Sequence, residues 1–148
     1  MDFIHNARLT VFVKEDEDAG KLKQGLINLT GIDIEKEKIK VNEQTASGFS
    51  ESKIKIFEIF LEKKRHAKAF LKYLLTLLSD DQKSLILKQA QNRLDEELHF
   101  FIRLDKEQLL INKAELTDTG NCFHIKLAIA SYPKSREKAL KAVKEAFL

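Results

Sequence analysis

Across Glu62 the chain changes its hydrophobic period. KIKIFEIFL, Lys53 to Leu61, is rich in Ile and Phe and nearly continuously apolar, the pattern of a central strand. EKKRHAKAFLKYLLTLLS then sets Ala67, Phe70, Leu71, Leu74, Leu77 and Leu78 on one helical face, with Lys64, Arg65, Lys68 and Lys72 on the other. A strand that passes through a few polar residues into an amphipathic helix buries both apolar faces most simply by laying the helix back on the sheet. The same transition recurs at Lys14 to Asp18 and at Ser131 to Arg136. The three sequences differ, so this is a shared architecture rather than a repeat.

The remaining elements fit that frame. Ala7, Leu9, Val11 and Val13 alternate with Asn6, Arg8, Thr10 and Phe12, which predicts a first strand with unequal faces. Ala19, Leu22, Leu26 and Leu29 follow at helical spacing, with acidic residues ahead of them and Gly31 placed to end the helix. IEKEKIKVN reads as a polar edge strand and QTASGFSES as a loop. Ser79 and Gln82 fit a capping box for a helix from Asp80 to about Arg93, with Ile86, Leu87, Ala90 and Leu94 inward. LHFFIRL is a further strand. DKEQLLINKAEL allows one helical turn and then a short strand, and Asp118 to Asn121 has the residue types of a tight turn into CFHIKLAIA. Pro133 is expected in the first turn of a last helix with Ala139, Leu140, Val143, Ala146 and Phe147 inward.

These elements predict one domain over residues 1–148, an α+β two-layer sandwich. Its sheet is mostly antiparallel with helices on one face, in the order β-α-β-β-α-α-β-β-β-α. At 148 residues such a domain buries roughly 70% of the surface its unfolded chain exposes. With 26 Lys and Arg against 23 Asp and Glu the net charge is only +3, a slight bias toward anionic partners. Cys122 is the single cysteine, and no stretch approaches the length of a membrane span, so a reducing cytoplasm and no membrane association are expected. The first residues lack the basic flank and apolar block of a signal peptide.

No catalytic constellation emerges, and neither a cofactor nor a metal is implied. His5, His66, His99 and His124 lack metal-ligand spacing, and the glycines at 20, 25, 31, 48 and 120 form neither a P-loop nor a dinucleotide turn. Asp80 and Asp81 belong to a helix start. An enzyme acting on a phosphorylated small molecule would have no nucleophile or base to assign.

Two positive signals remain. Lys63, Lys64, Arg65 and Lys68 begin one helix, and Lys134, Arg136 and Lys138 another; cations beside the free amides of a helix start suit a phosphate. A solvated basic face is the simpler account of either cluster taken alone. The second signal is the sheet face turned away from the helices, where Arg8, Phe12, His99, Phe101, Arg103, His124 and Lys126 fall. Aromatics among cations on an open sheet suit base stacking on single-stranded RNA; the alternative is a protein-interaction module that forms a homodimer or docks on a larger complex through the same face, or its partial burial under a loop.

The stretches HNARLTVFVKEDED, KIKIFEIFLEKKRHAKAFLKYLL, LHFFIRLDKEQ and HIKLAIASYPKSREKAL, together with the overall length, resemble the archaeal RNA-binding proteins described as exosome-associated subunits. The resemblance implies a fold like that of a ribosomal-RNA-binding large-subunit protein or a double-stranded-RNA-binding domain. It implies RNA as the partner, with the exosome or other RNA-processing proteins beside it. His5, Asp16 to Asp18, Lys63 to Arg65, Arg103 to Lys106, Tyr132-Pro133 and Arg136-Glu137 are the matching positions. EQLLINKAEL departs from the family's glycine-containing aromatic segment, so no role of that segment carries over.

Overall fold

The computed structural model describes residues 2–47 and 52–148. The first strand, β1 (Ile4–Val13), is the middle of a five-stranded sheet. It pairs antiparallel with β3 (Lys53–Leu61), Leu9 opposite Ile59, and antiparallel with β5 (Cys122–Ile129), Leu9 opposite Ile125. β2 (Val41–Ser47) lies outside β3 and β4 (His99–Asp105) outside β5, giving the order β2-β3-β1-β5-β4 with every neighbouring pair antiparallel. The two-residue period sorts the side chains. Ala7, Leu9, Val11, Phe57, Ile59, Phe100, Ile102, Phe123 and Ile125 are buried, while the residues between them are half-buried or exposed.

The helices cover the buried side. α1 (Ala19–Thr30) and α2 (Lys64–Leu77) pack across β1 and β3, and α6 (Arg136–Phe147) packs on β5 beside α3 (Asp80–Lys88). Phe147 reaches Phe100 with ring centroids 6.0 Å apart. Phe70 and Leu74 of α2 are fully buried, worth about 1.5–3 kcal/mol each in transfer from water. Asp18 caps α1 by accepting from the Lys21 amide at 3.1 Å, and Gly31 ends it in the left-handed region at φ 66°. A Cβ on Gly31 would lie 2.3 Å from Cγ of Tyr73. Gly25, although helix-weakening, lets α1 approach the sheet, since a Cβ there would stand 3.0 Å from Cζ of Phe123.

Five expectations are corrected. The polar edge strand exists but begins at Val41, not Ile34. Asp33 and Ile34 close a turn by accepting from Glu37 (3.0 Å) and Ile39 (2.8 Å), and Lys38 takes φ 56°. Gln44 to Ser47, read as loop, then pair with β3; the next residues of that loop, Gly48 to Glu51, lie outside the described residues. The single helix from Asp80 breaks at Gln89 (φ −99°, ψ 8°), leaving α4 (Ala90–Arg93), because the chain must turn for Leu94 to bridge back to Phe100. The short strand before the last hairpin is one bridge, Leu104 to Leu116, so the described sheet has five strands rather than six; the helical turn beside it is α5 (Lys106–Leu110). Pro133 precedes the last helix instead of opening it. Its bond to Tyr132 is cis, and Ser135 is the cap, accepting from the Lys138 amide at 3.2 Å.

Candidate nucleic-acid interface

β1 runs against both β3 and β5, so those two strands point the same way and finish on one rim, where β1, β2 and β4 begin. Both basic helix starts therefore stand on that rim. The start of α2 has no side-chain cap: Lys63 occupies the cap position, and the amides of His66 and Ala67 bond its carbonyl, each at 3.0 Å. Neighbouring carboxylates temper the charge. Asp2 lies 3.7 Å from Lys64 and 3.4 Å from Lys68, and its pKa is held down mainly by the hydrogen bond from Lys68. Glu37 accepts from buried His66 at 3.1 Å, which chiefly lowers its pKa, and stands 3.7 Å from Arg65. Among the described residues Lys63 has no ion-pair partner.

At the second start Arg136 is already engaged. Its Nη atoms donate to the carbonyls of Leu94 (3.0 Å) and Gln91 (2.6 Å), tying α6 to the end of α4. Lys134 and Lys138 remain exposed, and Lys138 reaches the Tyr132 carbonyl at 3.5 Å. Tyr132 is 97% exposed beside them, an aromatic that sequence reasoning left without a role.

The uncovered sheet face is built in cross-strand rows. Register sets Phe101, Lys126, Arg8 and Phe60 side by side across β4, β5, β1 and β3. The Arg8 guanidinium lies 4.2 Å from the Phe60 ring centroid and pairs with Glu58, while Lys126 stands 5.9 Å from the Phe101 ring. The next row holds Arg103, His124 and Thr10, and the Phe101 and His124 rings are 5.5 Å apart. Phe12 is 47% exposed one row further. His99 lies on the same face at the rim end, its Nδ1 3.7 Å from Asp95. All seven residues expected on this face fall on one side of the sheet by strand parity. Phe60 was missed because the continuous apolar run of β3 hides which residues alternate outward.

Beyond Phe101 the face is bounded. Arg93 of α4 donates from Nη1 to the Phe101 carbonyl at 3.1 Å and from Nη2 to Gln89 Oε1, closing one side of a cavity of about 500 Å3. Arg103 and Asp118 form the opposite lip, with Arg103 Nη1 donating to the Asp118 carbonyl at 3.2 Å. Burial first, then repulsion from Arg103 and Lys126, lowers the pKa of His124, so its imidazole is neutral at neutral pH. No sequence signal marked Arg93, because only the break at Gln89 turns it toward the sheet edge. Among the described residues no cluster of His, Cys, Asp or Glu has the makings of a metal site, and no helix is long and apolar enough to cross a membrane.

Comparison with known proteins gives a consistent result. Residues 6–130 match a family model described as RNA binding. The RNA-binding protein PAB1135 of Pyrococcus abyssi is 24% identical over 141 residues, 95% of this chain and 92% of that protein. Protein AF2318 from Archaeglobus fulgidus is 28% identical with a TM-score of 0.85, over 97% of this chain and 99% of that one. Mth689 from Methanothermobacter thermautotrophicus, described as a DUF54 protein, is 24% identical with a TM-score of 0.79 over 99% of this chain and 100% of its own; at that identity the likeness concerns the fold.

Proposed function

The chain belongs to the RNA-binding family, and from that premise we propose that it is a non-catalytic protein that holds RNA across its uncovered sheet face and the basic rim beside it. The row Phe101, Lys126, Arg8 and Phe60 carries this reading: cations flanked by aromatic rings on the sheet face turned away from α1, α2 and α6. Rings accept unpaired bases by stacking, and the cations neutralise the phosphates between them. Lys63, Lys64, Arg65, Lys68, Lys134 and Lys138 add sequence-independent phosphate contacts along the rim, and Arg136 fixes the helix start that carries two of them. The protein serves as an accessory in RNA processing or degradation, alongside exosome proteins in a cytoplasm. Co-sedimentation of the purified chain with a purified exosome core tests that role by itself.

Filter binding with single-stranded, duplex and structured RNA tests the main reading. Phe101→Ala should weaken single-stranded RNA binding by about 1–3 kcal/mol with the fold retained. Unchanged affinity in that variant would remove the face from the interface. The exposure of Phe12 favours a second reading, a homodimer formed through the same face. Sedimentation separates the two: a dimer that Phe12→Asp converts to a monomer, with RNA affinity untouched, supports the second.

A further inference from the structure

The cavity at the edge of β4 differs from the rest of the sheet face in having walls. Its floor is the Phe101 ring and the neutral His124 imidazole, 5.5 Å apart and tilted by 38°. One wall is the Arg93 guanidinium, whose Nη groups are held by the Phe101 carbonyl and Gln89; its Nε is buried and has no hydrogen-bond partner among the described residues. The lining also carries Arg103 and the Asp118 carboxylate, and the Lys126 ammonium lies over the Phe101 ring, 5.9 Å from its centroid. Two guanidinium groups, Arg93 and Arg103, line the pocket against one carboxylate, Asp118, which acts on Arg93 without pairing with it, so the net charge of the lining is positive. A volume of about 500 Å3 falls within the range of small-ligand sites, about 300–1,000 Å3.

Resting on the RNA-binding reading, we propose that this pocket receives one unpaired nucleotide extruded from an RNA. The base lies against Phe101 and His124, and its flanking phosphates meet Arg103 and Lys126. An aromatic floor calls for a ring, which inorganic phosphate lacks, and the guanidinium groups of Arg93 and Arg103 call for an anion, which a neutral aromatic lacks. A nucleotide supplies both. A base held inside a duplex cannot expose its face, and releasing it costs a few kcal/mol, least where it is already unpaired. The Asp118 carboxylate on the lining offers an acceptor to the polar edge of a base.

The test uses the full chain and three RNAs of equal length: a perfect duplex, the same duplex with one bulged 2-aminopurine, and a single strand. The bulged RNA should bind at least tenfold more tightly than the duplex, with its 2-aminopurine fluorescence quenched. Phe101→Leu should abolish the quenching and the preference. Asn92→Trp, a change at an exposed α4 position lining the same cavity, should abolish both while leaving duplex affinity within twofold. Equal binding of bulged and perfect duplex by the native chain, or quenching that survives both variants, overturns the pocket and leaves RNA binding standing. Binding of none of the three RNAs overturns the RNA reading itself, and the pocket with it.

Discussion

Lys106 is among the positions that resemble the RNA-binding family, yet its ammonium is withdrawn from any ligand. It is 3% exposed and donates to the Phe12 carbonyl at 2.6 Å and to Glu17 at 2.9 and 3.2 Å. It thus locks the end of β1, the approach to α1 and the start of α5 together. Burial works against ionisation of Glu17, but the Lys14 amide and Lys106 outweigh it, and the pKa lies below the ordinary glutamate value. Stability from this pair is therefore fully present above the unfolded-state pKa and is lost as pH falls through the depressed folded one. Lys106→Met strands the Phe12 carbonyl and leaves Glu17 partly solvated, and should cost about 2–4 kcal/mol at pH 7. Denaturant titrations at pH 7 and pH 3 check this: the penalty should be smaller at pH 3, below the ordinary glutamate value, where Glu17 of the unfolded chain is protonated.

Among the elements, the join between α1 and α2 is the least forgiving. Gly31→Ala must place a Cβ in the left-handed region, about 1–2 kcal/mol, and also displace the Tyr73 side chain. A loss of at least about 2 kcal/mol in urea unfolding is expected, whereas Gly20→Ala, whose added Cβ comes only within 3.4 Å of an exposed cap oxygen, should cost far less. Elements with strong periodicity were legible in the sequence, because burial of Ala7, Leu9, Val11, Phe70 and Leu74 follows the period itself. The edge strand was misplaced because an edge needs little apolar surface, so its register comes from the hairpin with β3 rather than from its own pattern. The break at Gln89 has neither Gly nor Pro to announce it and follows from the pairing of Leu94 with Phe100. The rows of the candidate site were half legible: parity assigned Phe101 and Lys126 to one face, but only register sets them beside Arg8 and Phe60.

At the scale of the whole molecule, the shared direction of β3 and β5 turns two separate basic clusters into one rim. Charge reversal of Lys63, Lys64 and Arg65, or of Lys134 and Lys138, should each weaken RNA binding without unfolding the protein. For every phosphate that is no longer neutralised, the logarithmic salt dependence should flatten by about 0.7–0.9, and the combined variant should come close to abolishing binding. Native affinity and slope in the combined variant would show that the rim is an ordinary solvated surface.

The central position of β1 has a kinetic consequence. Its two partners come from residues 53–61 and 122–129, so the sheet cannot close during synthesis until β5 has emerged. Until then the apolar edge of β1 that β5 will cover stays open to other chains. Long-range pairing of this kind slows folding toward the millisecond-to-second range and makes the last strand, rather than the first helix, the step that commits the molecule.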